Sequence, residues 1–137
     1  MKLMRAVVFG TLSLVFVCAP ANCLYAVTID WVSIGNRGNE SENEFGGVAY
    51  AYRIGKYEVT NAQYAEFLNA VAATDSNSLY NGDMESKIMG GIRRTGSNGS
   101  YCYTVKPGRD DYQVVYVSYF DAMRFVNWLE NGQPNGI

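Results

Sequence analysis

Histidine is absent from all 137 residues. The chain therefore has no imidazole general acid or base and no histidine-containing zinc, iron or copper site. Cysteine is scarce as well, with only Cys18, Cys23 and Cys102. An excess of charge of either sign is also missing. Eleven Lys plus Arg against 13 Asp plus Glu leave a net charge of -2, and apart from Arg93-Arg94 the basic residues are scattered. Electrostatics thus gives no case for binding nucleic acid or an anionic membrane. The longest apolar run, Ala6 to Ala19, falls short of the roughly 20 residues that a membrane-spanning helix needs.

That run follows Lys2 and Arg5, which is the basic-then-apolar order of an export signal. Ala19-Pro20-Ala21 meets the small-x-small cleavage rule; Ala26 is a second candidate, with Leu24 at the upstream position that should be small. Residues 1–26 are accordingly read as a signal peptide cleaved after Ala21 or Ala26. The mature protein is then secreted or periplasmic, with no stable membrane insertion after cleavage. Cys23 follows Pro20, Ala21 and Asn22, so it lacks the aliphatic-then-small context of a lipidated cysteine. Cys18 departs with the leader, and Cys23 departs too if cleavage follows Ala26. Cys102 is then the last cysteine, and a disulfide framework is excluded.

Thr28 to Ile34 alternates polar and apolar residues as a half-buried strand does, and Gly35 to Gly47 is a polar, glycine-rich loop. Val48 to Ile54, rich in aromatic and β-branched residues, pauses at Gly55 and resumes over Tyr57-Glu58-Val59, which predicts one strand kinked at the glycine. Thr60 with Gln63 is a capping-box pair that predicts a helix from Asn61. Tyr64, Phe67, Leu68 and Val71 give that helix one apolar face, fading near Thr74. No period is visible over Leu79 to Met89. Arg93–Thr95 and Tyr101–Val105 flank a glycine- and serine-rich turn and predict a hairpin. Gln113 to Val117 is a short strand candidate. Ser118 and Asp121 repeat the capping logic, and Ala122, Phe125, Val126 and Leu129 trace a second apolar helical face. Asn131-Gly132 closes that helix, leaving Gln133 to Ile137 as connector.

Two stretches carry a family resemblance. Tyr52-Arg53-Ile54-Gly55-Lys56-Tyr57-Glu58-Val59-Thr60-Asn61-Ala62-Gln63-Tyr64-Ala65-Glu66-Phe67 resembles the hallmark segment of the formylglycine-generating (sulfatase-modifying factor) family. Val114 to Ala122, followed by Phe125 and Asn127-Trp128-Leu129, is similar to a second block of that family in the right order. Gln113 stands where the family favours proline, and Tyr119 where it favours tryptophan. The resemblance implies an α+β fold, a partial C-type-lectin-like domain with two amphipathic helices and short antiparallel strands. It places 27–137 in the amino-terminal portion of such a domain, truncated, since the family's later blocks have no counterpart. In full-length relatives the resemblance implies copper-dependent oxidation of a sulfatase cysteine to formylglycine, with the working cysteine pair and the calcium sites in the later portion. It therefore implies no catalytic, cofactor-binding or metal residue in this chain, and copper and calcium only for full-length relatives. The partners it leaves open are a sulfatase-type protein substrate or a carbohydrate ligand; the contrasting reading is a secreted C-type-lectin-like binding module without catalysis.

Individual residues admit sharper readings, each with a plainer one beside it. Cys102 lies between Tyr101 and Tyr103 on a predicted strand, and without a cationic neighbour to lower its pKa it reads as a packed thiol rather than a nucleophile or copper ligand. Glu58, inside the strongest motif, reads as a residue holding the strand-to-helix junction. The eleven tyrosines, with Trp31 and Trp128, offer faces for sugar stacking, though aromatics at regular spacing more often build core. Asp110-Asp111 and Asp83 with Glu85 are loose acidic clusters, and a calcium cage needs six or more converging oxygens. Asn39-Glu40-Ser41 and Asn98-Gly99-Ser100 match the glycosylation acceptor pattern, from which nothing is drawn.

Overall fold

The computed structural model describes residues 26–35, 38 and 47–136; the expected signal peptide and most of the predicted loop lie outside them. The described elements run in the order β1 (Trp31–Ile34), β2 (Tyr52–Gly55), α1 (Asn61–Val71), α2 (Asp83–Ser86), β3 (Ile92–Thr95), β4 (Cys102–Val105) and α3 (Tyr119–Glu130). The strands form two antiparallel pairs, β1 with β2 and β3 with β4, with Val32 opposite Ile54 and Arg94 opposite Tyr103. The class is α+β, as the sequence indicates.

Both capping boxes are present. Thr60 Oγ1 accepts from the Gln63 amide while Gln63 Oε1 accepts from the Thr60 amide at 2.9 Å. Ser118 and Asp121 repeat the exchange at α3. Each box satisfies amides that the first turn of a helix cannot pair internally. Tyr64, Phe67, Leu68 and Val71 are buried as their spacing predicts. Phe67 and Phe125 meet edge to face at 5.4 Å, and Trp128 lies 5.3 Å from Phe67, contacts worth about 0.5–1.5 kcal/mol each beyond the area they bury. This aromatic knot joins α1 to α3, while the opposite side of α1 packs on β4.

Four expectations change. Strand β2 is confined to Tyr52–Gly55, because β1 offers partners only from Trp31 to Ile34. The chain then bends at Lys56 and Tyr57, so 57–59 is not a continuation of the strand. Gln113 to Val117 is no strand: it keeps one bridge, Thr60 to Gln113, and one bond from the Val114 amide to the Val59 carbonyl at 2.9 Å, before Tyr116 turns to φ +63°. The buried face of α3 runs through Asp121, Phe125 and Trp128, whereas Ala122 and Val126 face outward. Burial follows the Phe67 contact rather than the plain apolar period. The stretch after α3 is also more than connector. Gln133 exchanges two hydrogen bonds with the backbone of Val27, at 2.6 and 2.8 Å, Trp128 Nε1 donates to the Pro134 carbonyl at 2.9 Å, and the Gly136 amide donates to Ala70 at 2.8 Å.

Asn61, the first residue of α1, is 1% exposed. Its backbone amide donates to the Tyr112 carbonyl at 2.9 Å, and its side-chain Nδ2 donates to the Arg109 and Tyr112 carbonyls at 2.9 and 3.0 Å. Gly91 lies against the carboxamide, where a Cβ would overlap the side-chain atoms. Two substitutions test this packing. Gly91→Ala is expected to cost about 1–3 kcal/mol through overpacking. Gly82→Ala, at a helix-compatible φ of -58° with no atom within 4 Å of the new Cβ, is expected to shift stability by no more than about 1 kcal/mol. Urea denaturation of both variants checks the contrast.

Candidate functional site

The residues singled out from the sequence do not converge. Cys102 lies on β4 and is disulfide-bonded, which corrects both the packed-thiol reading and the exclusion of disulfides. The other two cysteines, Cys18 and Cys23, are outside the described residues. A sulfur held in a disulfide is neither a thiolate nucleophile nor a metal ligand.

Glu58 does not hold the junction assigned to it: its side chain is exposed and makes no hydrogen bond with a described residue. Thr60, Asn61 and Gln63 do that work instead, with Gln63 Nε2 also reaching the Thr28 carbonyl at 2.9 Å. The acidic pairs are used elsewhere or face solvent. Asp83 accepts from Ser86 Oγ at 3.1 Å and Glu85 pairs with Arg93 at 3.0 Å, an exposed ion pair worth about 0–1 kcal/mol. Asp110 and Asp111 are exposed. Asn98-Gly99-Ser100 forms the exposed β3–β4 turn, and Asn39-Glu40-Ser41 lies outside the described residues.

The most ordered electrostatic cluster was not legible in the sequence. Asp75 Oδ1 accepts from the Leu79 amide at 2.7 Å, and Asp75 Oδ2 pairs with Arg94 at 3.1 Å, with the carboxylate side chain only 5% exposed. The Arg94 guanidinium sits over the rings of Tyr80 and Tyr101, 4.7 and 4.4 Å from their centroids. Nearby, Tyr103 Oη donates to the Ala72 carbonyl at 2.9 Å, and the Asn69 carboxamide pairs with the Tyr103 backbone as a strand would, at 2.8 and 2.9 Å. Burial raises the phenols of Tyr64, Tyr80 and Tyr103, that of Tyr103 to about 12, with the Asp75 charge adding to the effect at Tyr103. Arg94 with Asp75 and Tyr80 Oη with the Ile92 carbonyl bind the 75–81 segment to the hairpin, while Tyr64 Oη ties the same segment to α1 through the Leu79 carbonyl.

Among the clefts formed by the described residues, two large ones flank the core. One, of about 580 Å³, is lined by Asp30, Glu58, Asp111, Tyr57 and the α1 cap. The other, of about 660 Å³, lies between the 77–81 segment and the start of α3. Among the described residues no group of three or more Cys, Asp or Glu gathers in metal-binding geometry. The described residues do not offer the thiolate and imidazole donors that would hold copper: no imidazole exists in the chain and the one described cysteine is in a disulfide.

Two helices capped by Thr60 and Ser118, joined through their aromatic faces and flanked by short antiparallel hairpins, define an α+β unit of the C-type-lectin-like kind. The model of the sulfatase-modifying factor enzyme 1-like domain matches residues 33–134, and the chain belongs to that family. No curated protein and no solved structure matches it.

The raised phenols set a pH dependence. Each folded-state value lies above the ordinary 10.0, so folding gains from keeping the proton. That gain is complete below pH 10.0 and is lost as pH climbs through about 12. Thermal unfolding temperatures are expected to fall steeply across this window. In Tyr103→Phe the fall is expected to be shallower, the variant being less stable than the parent at neutral pH because the bond to Ala72 is gone.

Proposed function

We propose that this chain is an exported sulfatase-modifying-factor-family protein in which the described residues supply scaffold and ligand-facing surface, with no redox or covalent step placed on them. The family resemblance assigns oxidation of a sulfatase cysteine to formylglycine to full-length relatives. The observation that carries the reading is the disulfide at Cys102, which occupies the one described cysteine in a chain without histidine. The purified exported protein is expected to bind no stoichiometric copper and to leave a sulfatase-derived cysteine peptide unchanged. Copper binding together with conversion of that cysteine to formylglycine would overturn the reading.

A second reading, a secreted C-type-lectin-like binding module, is supported by the open 660 Å³ cleft, which has the dimensions of small-ligand sites.

The disulfide also bears on export. Cys18 sits in the apolar run and departs with the leader, so a cysteine partner for Cys102 survives maturation only if Cys23 is retained. Retention of Cys23 corresponds to cleavage after Ala21 rather than Ala26. Mass spectrometry of the exported protein is expected to find Asn22 as the first residue and no free thiol. A start at Val27 would refute this assignment.

A further inference from the structure

We propose that the cleft between the 77–81 segment and the start of α3 is a binding site for a neutral saccharide of one or two rings, independent of metal. The inference rests on the binding-module reading above and gives that module its ligand class.

The cleft's two walls are built on backbone that most residues avoid. Ser78 on one wall has φ +53°, and Tyr116 on the other has φ +63°. A tyrosine in the left-handed region carries a steric cost that glycine would not. Such strain persists where the surroundings fix it, and it concentrates at ligand sites. The surroundings here are fixed on both sides. Asp75 takes the Leu79 and Tyr80 amides and pairs with Arg94, which holds the first wall. On the second, Val114 is tied to Val59 and the Ser118–Asp121 capping box sets the entry to α3. The walls are therefore formed before a ligand arrives, which lowers the ordering cost of binding.

The lining chemistry selects the ligand. Tyr116 and Phe120 are 38% and 68% exposed and line the cleft beside polar groups, with Phe120 braced by the Tyr119 ring at 5.7 Å. Asn77 makes no side-chain hydrogen bond among the described residues and keeps its full carboxamide capacity. Asn81 uses its Oδ1 on the Asp83 amide, leaving its NH2 group. Arg124 gives one N–H to Asp121 at 3.4 Å, out of the five that a guanidinium carries. Asp121 and Arg124 are the charged residues of the lining and they pair with each other, so the cleft has no net charge with which to favour an ionic ligand. Exposed aromatic surface beside uncommitted amide and guanidinium donors matches the apolar face and the hydroxyl rim of an uncharged pyranose. The second cleft, with Asp30, Glu58 and Asp111 in its lining, lacks this neutrality.

The test is NMR titration of the exported chain with maltose, cellobiose and chitobiose, with a heparin-derived disaccharide and the sulfatase-derived cysteine peptide as competing classes. At least one neutral disaccharide is expected to shift the resonances of Asn77, Tyr116 and Phe120, with Kd near ~1 mM and no change on adding a chelator. Phe120→Ala and Asn77→Ala, both at exposed positions, are expected to weaken binding about tenfold; Phe120→Trp restores it, and Tyr50→Ala, outside the cleft, leaves it unchanged. The proposal is overturned if no neutral disaccharide binds, if the shifts fall outside the cleft, if Phe120→Ala and Asn77→Ala bind as the parent does, or if only the heparin disaccharide or the peptide binds. Peptide or heparin disaccharide binding in this cleft would leave the binding-module reading standing while removing the saccharide, so the two failures are distinct.

Discussion

Asn61 is the residue on which the arrangement of this fold turns. A helix start has amides with no partner inside the helix, and here the side chain and backbone of one residue bind instead to a segment nearly fifty positions later, at Arg109 and Tyr112. The neighbouring Ala62 amide takes the Asp110 carbonyl at 3.2 Å, so the 109–113 segment lies along the first turn of α1. From there Val114 meets Val59, and the chain is aimed toward the cap of α3. Gly91 closes the other side of the carboxamide. Three parts of the chain far apart in sequence thus meet around one buried amide, in a setting where a missing hydrogen bond costs about 1–3 kcal/mol.

Much of the remaining polar structure repeats this device, in which a neutral side-chain amide pairs with distant backbone. Asn69 extends β4 sideways and Gln133 completes Val27. Such bonds avoid the desolvation cost of burying a charge. Two part-buried ion pairs depart from this pattern: Asp75 with Arg94, flanked by the Tyr80 and Tyr101 rings and satisfied by backbone amides, and Asp121 with Arg124 at the start of α3.

The sequence carries the elements whose cause is local. Thr60 with Gln63 and Ser118 with Asp121 locate both long helices to the residue, because a capping box needs only neighbours three positions apart. The α1 face and the hairpin over 92–105 are similarly local in origin. What escapes the reading is set by partners remote in sequence. Gln113 to Val117 has strand composition, yet only Val59 and Thr60 are there to receive it. Val126 fits the helical period, yet Trp128 is the residue that reaches Phe67. The Asp75–Arg94 cluster and the left-handed backbone at Tyr116 leave no sequence sign, since neither residue type nor spacing marks them. The strained residues in both walls of the candidate cleft, Ser78 and Tyr116, were for that reason illegible, while the α3 cap in the second wall was plain.

The pairing of Gln133 with Val27 spans 106 positions and uses both hydrogen-bonding ends of one amide. It brings the entrance and the exit of the described unit to the same spot on its surface. The two ends of the described unit are thus clasped by one side chain, so loosening at either end is coupled to loosening at the other.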